Sequence, residues 1–314
     1  MSRHLKIAAA QLGPLPRADS RAAATKRLVN LLREAHGMGA RFVVFPELAF
    51  TTFFPRWWME DQAEVDRRYF EREMPGPETK PLFDEARKLG VGFYVGYAEL
   101  TPDHHRYNAA ILVAPDGRIV GKYRKVHLPG HADHKPQAPF QHLEKKYFEV
   151  GNLGFRVWRY MDTITGMLIC NDRRWPEAFR VLALQGAELV ALGFNTPTEN
   201  LHYPEPPALR VHHHLIMAQA MAFQNATWLV ETAKCGVEDG FRMFGHSLVV
   251  APTGEIAAKS QTEQDEVICY NADIDMAADL KRTMFNFAAH RRPEHYRLIV
   301  ERVGAEVTPA NEER

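Results

Sequence analysis

Cysteine is scarce in this chain: Cys170, Cys235 and Cys269 are the only three, and they stand far apart with no C-x-x-C pair. That spacing supports neither a disulfide framework nor a thiolate zinc site, so each thiol needs its own explanation. An excess of one charge is also lacking, because 39 Lys and Arg balance 39 Asp and Glu. Without a basic surplus to neutralise phosphates, nucleic acid is not an expected partner. No apolar run reaches the roughly 18 residues that a membrane-spanning helix needs. The opening MSRHLKIAAAQLG stops being apolar at Gln11, too soon for a secretory signal core, so a cytoplasmic address is expected.

Several catalytic signatures are missing as well. Gly245-His246-Ser247 starts a nucleophile elbow but lacks its second glycine. Gly117, Gly121 and Lys122 imitate a phosphate loop with the spacing one residue short and no Ser or Thr after the lysine. Gly90 and Gly92 fall before and inside an expected strand, where a dinucleotide fingerprint would need them after it. His127, His131 and His134 are close enough in sequence to suggest metal ligands, yet Pro129, Gly130 and Pro136 make the segment a loop, where spacing says nothing about facing. His212, His213 and His214 are consecutive on an expected helix and so point in different directions. No metal site is expected.

What is present is a globular composition: 46% of the 314 residues are hydrophobic and 25% charged, ample for a continuous core. At about 150 residues per domain the length allows two domains or one large α/β domain, and no Ser/Gly linker divides it. Apolar runs at 4–11 and 41–45 flank a helical pattern over 20–37, with Leu28, Leu31, Leu32 and Ala35 at helical spacing. A helix over 80–88, stopped by Gly90, leads into a strand at 91–100. Asp116-Gly117 turns a hairpin of 108–114 and 118–125. Further strands are expected at 165–170, 188–194, 227–233, 246–252 and 266–274, with helices over 176–185 and 208–225 and a late hairpin turn at Thr253-Gly254. This alternation predicts an α/β layered fold. The charged ending, 301–314, reads as a mobile or partner-bound tail.

Three chemistry-bearing residues close apolar strands: Glu47 after FVVFP, Lys125 after IVGKYR and Cys170 at the end of GMLIC. Ligands of open α/β sheets collect beyond the carboxyl ends of strands, so all three are candidates for one pocket. A thiol with a pKa of about 8.5 needs a base to attack an amide-like carbonyl, and a carboxylate can take its proton. Glu47 is the candidate base. Attack places negative charge on oxygen, which an ammonium and a backbone N–H can stabilise; Lys125 and Asn171 fit those parts.

In FPELA around Glu47, KYRKVHLPG around Lys125 and CNDRRWPE around Cys170, the sequence resembles the nitrilase superfamily of carbon-nitrogen hydrolases and its Glu-Lys-Cys set. TTFFPRW (51–57), HLPGH (127–131), PFQHLEK (139–145), NTPT (195–198), APTGEI (251–256) and FNFAAHR (285–291) are similar to the N-carbamoyl-D-amino acid amidohydrolases within it. The resemblance runs from about residue 4 to 300. It implies a four-layer α-β-β-α sandwich as the fold class, one domain over 1–314, and a C-terminal extension from about 285 at the interface of a homodimer or homotetramer. It implies hydrolysis of a small-molecule N-carbamoyl-D-amino acid through a covalent Cys170 intermediate, with no cofactor. Glu144 resembles the additional glutamate that holds the lysine. Arg173 and Arg174, whose planar forks fit a carboxylate, are implied to bind the substrate, with Asn171, Asn195 and Thr196 nearby and His127 and His142 fixing loop geometry. Loops 131–138 and 199–211 depart from the pattern and are expected to border the pocket. The alternatives are a β-ureidopropionase-like or aliphatic amidase, and a catalytically silent binding protein of the same fold.

Overall fold

The computed structural model describes residues 2–199 and 205–306, so parts of the 199–211 loop and of the C-terminal tail lie outside the described residues. The first half of the chain supplies β1 (His4–Gln11), β2 (Phe42–Val44), β3 (Phe70–Glu71), β4 (Gly92–Leu100), β5 (Arg106–Val113) and β6 (Ile119–Arg124). The second supplies β7 (Val157–Tyr160), β8 (Thr163–Ile169), β9 (Leu189–Phe194), β10 (Trp228–Ala233), β11 (Cys235–Glu238), β12 (Phe241–Phe244), β13 (Leu248–Val250), β14 (Ile256–Lys259) and β15 (Glu266–Asp273). The helices that matter here are α1 (Arg21–Gly37), α2 (Gln62–Tyr69), α3 (Lys80–Leu89), α4 (Glu144–Tyr147), α5 (Pro176–Leu184) and α6 (Pro207–Asn225). Ser20 caps α1 by accepting the Ala23 N–H, and Gly90, at φ 66°, ends α3 where only glycine is unstrained.

One sheet has the order β15-β1-β2-β4-β5-β6, with β3 beside β4, and the other has the order β14-β13-β10-β9-β8-β7. Side chains alternate along β1: Ala8 and Ala10 join Leu28 and Leu32 of α1 and Phe83 of α3, while Ile7 and Ala9 face the other way. That second face shares a core with Met167 and Ile169 of β8, Ala191 of β9 and Val230 of β10. Phe179 and Leu182 of α5 and Ala218 and Ala222 of α6 close the same core from beyond the second sheet. The result is the four-layer α-β-β-α sandwich. Among the described residues no helix is long and apolar enough to cross a membrane.

Two expectations need correction. The Thr253-Gly254 turn joins β13 to the short β14, whereas β15 crosses to the first sheet and pairs antiparallel with β1, from His4 opposite Asp273 to Gln11 opposite Glu266. The IAAK of β14 is too brief and weakly apolar to stand out as a strand. Lys125 and Cys170 sit one residue beyond β6 and β8, because Cys170 has turned to φ 46° and opens a 3-10 turn, Cys170–Arg174. The β11–β12 ribbon, turned by Asp239-Gly240, was also not anticipated.

Candidate active site

β2 and β4 run parallel, β5 returns and β6 runs out again. Consequently Glu47 after β2, Asn108 near the start of β5 and Lys125 after β6 meet at one rim of the first sheet. β8 and β9 are parallel neighbours in the facing sheet, and they deliver Cys170 and Asn195 to the same place. The approach is close: a Cβ on Gly96 of β4 would lie 2.7 Å from Glu47 Cα, and one on Gly193 of β9 would lie 2.5 Å from Glu47 N. Leu48, immediately after Glu47, and Cys170 both hold left-handed backbone at φ 46°, strain of the kind that the surroundings of functional turns sustain.

Glu47, Lys125 and Glu144 are each 0% exposed. Lys125 Nζ donates to Glu47 Oε1 at 2.8 Å and to Glu144 Oε2 at 2.6 Å. Asn108 Nδ2 donates to the same Glu47 oxygen at 2.7 Å, and the Asn195 amide donates to Glu47 Oε2 at 2.8 Å. His142 Nε2 lies 3.1 Å from Glu144 Oε1. Cys170 Sγ reaches the Asn195 carbonyl at 3.5 Å, so one residue touches both the thiol and the Glu47 carboxylate.

These contacts divide the two acids. Burial raises the Glu47 carboxyl and Glu144 adds to that rise, against the pull of Lys125 and Asn108. Burial also opposes ionisation of Glu144, but Lys125 and His142 outweigh it and hold Glu144 below the usual range. The Lys125 ammonium would be lowered by burial, yet the charges of Cys170, Glu144 and Glu47 keep it above its ordinary value. Burial pushes the Cys170 thiol up, as does Glu47, with Lys125 and Arg173 pulling the other way. A permanent ammonium, a proton-hungry carboxylate and a protonated thiol therefore share one dry space, an arrangement suited to proton transfer from sulfur to Glu47.

The remaining sequence candidates gather around this centre. Arg173 is buried, with Nη1 3.2 Å from the Cys170 carbonyl and 3.8 Å from Sγ, and Nη2 3.0 Å from Thr196 Oγ1. The Arg173 guanidinium covers the Phe194 ring at 4.1 Å. Arg174, more exposed, donates to Asn171 Oδ1 at 3.1 Å, and Asn171 Nδ2 donates to the His127 carbonyl. His127 pairs with Asp172 Oδ1 at 2.8 Å and stacks on Trp175. His131 Nδ1 contacts the Asp133 carbonyl and His134 stacks on Trp58, so the three loop histidines are engaged separately. Among the described residues no group of three or more His, Cys, Asp or Glu is placed to hold a metal.

Two residues central to this geometry carried no recognised signal. Asn108 bridges both acids from within an apolar strand, where a lone carboxamide was the available hint. Asp172 is the hub of the nucleophile turn: its carboxylate accepts from the His127 and Ile169 amides and from Tyr123 Oη at 2.8 Å.

Comparison with known proteins gives the chain a family and a shared fold. The carbon-nitrogen hydrolase family matches residues 6–282. A nitrilase of Pyrococcus abyssi is 32% identical over 269 residues, 85% of this chain and 90% of that protein. An N-carbamoylputrescine amidase of Arabidopsis thaliana is 31% identical over 291 residues, 88% and 89% of the two chains. The fold is shared with a carbon-nitrogen hydrolase from Helicobacter pylori at TM-score 0.81, with 24% identity and 96% and 99% of the chains covered. With its sandwich, its buried acid-lysine-acid cluster and this family match across most of its length, the chain belongs to the carbon-nitrogen hydrolases of the nitrilase superfamily.

Proposed function

We propose that the enzyme hydrolyses N-carbamoyl amino acids, with Cys170 as nucleophile, Glu47 as general base, Lys125 and the Asn171 amide stabilising the oxyanion, and Glu144 fixing Lys125. Glu47 takes the thiol proton as sulfur attacks the ureido carbonyl. The C–N bond then breaks, the leaving amine takes that proton, and the carbonyl carbon stays on sulfur. Glu47 next deprotonates a water that cleaves the covalent intermediate and passes the proton to the departing Cys170 sulfur, and the carbamic acid released by this hydrolysis loses carbon dioxide. The products are amino acid, ammonia and carbon dioxide.

The observation that carries the substrate class is the buried Arg173 guanidinium beside Cys170, with no carboxylate within 4.0 Å among the described residues. Its Nε has no hydrogen-bond partner among the described residues, which leaves the guanidinium a donor and a charge for a substrate α-carboxylate. An N-carbamoyl amine such as that in the name of the Arabidopsis relative brings no carboxylate to it. The D configuration rests on the motif resemblance. A panel of D- and L-N-carbamoyl amino acids, N-carbamoylputrescine and simple aliphatic amides tests the reading. Turnover concentrated on the D-N-carbamoyl acids supports it, while turnover confined to amides without a carboxylate rejects it. Cys170→Ala should abolish turnover and leave the fold intact, and wild-type protein mixed with substrate should carry a mass adduct on the Cys170 peptide.

A further inference from the structure

The unpartnered guanidinium nitrogens near Cys170 exceed what one substrate carboxylate answers. Arg210 lies in the first turns of α6, the helix that packs on the 3-10 turn bearing Cys170, Arg173 and Arg174. Arg210 Nε and Nη1 are shut off from solvent and have no hydrogen-bond partner among the described residues. Arg173 Nε is in the same condition. Burial lowers the Arg210 guanidinium; Glu205 is the strongest charge acting on it and opposes that fall, and Arg173 and Cys170 act on it more weakly, so Arg210 shares their neighbourhood.

Neither acid nearby pairs with these guanidinia. Glu205 has its Oε2 3.1 Å from His213 Nδ1. Glu231 Oε2 lies 3.4 Å from His214 Nδ1 with neither atom hydrogen-bonded, and burial pushes this carboxyl up to about 7 despite the pull of Arg173 and Arg174. No carboxylate stands within 4.0 Å of Arg173, Arg174 or Arg210 among the described residues. Arg173 is buried, Arg210 half-buried and Arg174 exposed, and guanidinium N–H groups shut off from water without an acceptor are costly. One α-carboxylate fills the fork of a single guanidinium or bridges two, which leaves the orphaned Arg210 nitrogens without an acceptor.

We propose that Arg210 forms a second anion subsite, so that the enzyme prefers N-carbamoyl amino acids whose side chain carries its own carboxylate. This rests on the N-carbamoyl amino acid reading and adds the side-chain class to it. Arg173 and Arg174 take the α-carboxylate, and Arg210, reaching in from α6, takes the distal one.

The test compares kcat/KM for N-carbamoylglutamate and N-carbamoylglutamine, which match in shape and differ in charge, each offered as both enantiomers. Wild-type enzyme should favour the acid by roughly 10-fold or more, the worth of one charge-assisted hydrogen bond. Arg210→Gln should remove that preference while leaving glutamine-derivative turnover near wild type, and Arg210→Lys should retain part of it. Equal turnover of the two substrates by wild type overturns the subsite, and this result does not depend on whether any variant folds. An equal loss for both substrates in Arg210→Gln also overturns it. Failure of wild type on both compounds, with turnover of simple amides, removes the underlying substrate reading instead.

Discussion

A single carboxamide separates two buried carboxylates: Asn108 Nδ2 lies 2.7 Å from Glu47 Oε1 and 3.4 Å from Glu144 Oε2. Its bond favours the charged form of Glu47, which burial opposes. Asn108→Ala should therefore raise the Glu47 pKa further, and the acid limb of kcat/KM should move to higher pH. A hydrogen bond to a charged group is worth about 1.5–3 kcal/mol, or roughly one to two pH units. A lower plateau with an unmoved acid limb would mean that Asn108 only scaffolds the strand. Glu231 gives a second pH effect, on stability. Its carboxyl is raised to about 7 in the folded protein, so between an ordinary glutamate pKa and about 7 the folded state holds the extra proton. Stability present below that window is lost as pH rises through it, by up to about 3 kcal/mol. Denaturant midpoints across this range should fall less steeply in Glu231→Gln, and an identical slope would show that Glu231 does not titrate there.

At the level of elements, the site depends on how tightly the two sheets approach. Gly96 and Gly193 sit against the Glu47 backbone, so Gly193→Ala must move the residue that holds the base. Overpacking of this kind costs about 1–3 kcal/mol, and melting temperature and turnover should fall together. Gly37→Ala, with nothing within 4 Å, is the control that should change neither for the worse. The same elements show what the residue pattern could reveal. Glu47, Lys125 and Cys170 were legible because each ends an apolar run, and β1, α1, α3 and the β5–β6 hairpin because periodicity and turn residues agree there. Asn108 and Asp172 were not, since their importance comes from partners on other strands: Asp172 is held by Tyr123, on β6, and by His127 just beyond that strand. The β11–β12 ribbon carried the same Asp-Gly signal as β5–β6, but CGVE and FRMF are too short to read as strands. Its Glu238 nonetheless accepts from Thr52 and the Phe53 amide, tying the segment after Glu47 to the opposite half of the chain.

For the whole molecule, the outer surface of α5 and the C-terminal segment is unlike the rest. A groove of about 580 Å³ lies between them, lined in part by Val181, Leu184, Phe287, Ile299 and Val300. Val181 and Leu184 are 39% and 45% exposed, and Ile299 and Val300 are 61% and 86% exposed. A contiguous apolar surface of this kind is unfavourable in water and is of the sort that interaction surfaces present. Since the C-terminal extension is also where an oligomer interface was expected, a second copy of this chain is the expected cover. Light scattering during gel filtration should give a dimer or larger species at micromolar concentration. Leu184→Glu combined with Val300→Glu places two carboxylates in the covered surface and should shift the mass toward one chain. Because α5 directly follows the turn that carries Cys170 and Arg173, dissociation should also lower turnover. A wild-type mass of one chain would remove the interface, and a dissociated variant with full activity would show that the Cys170 turn holds its shape without support from a neighbour.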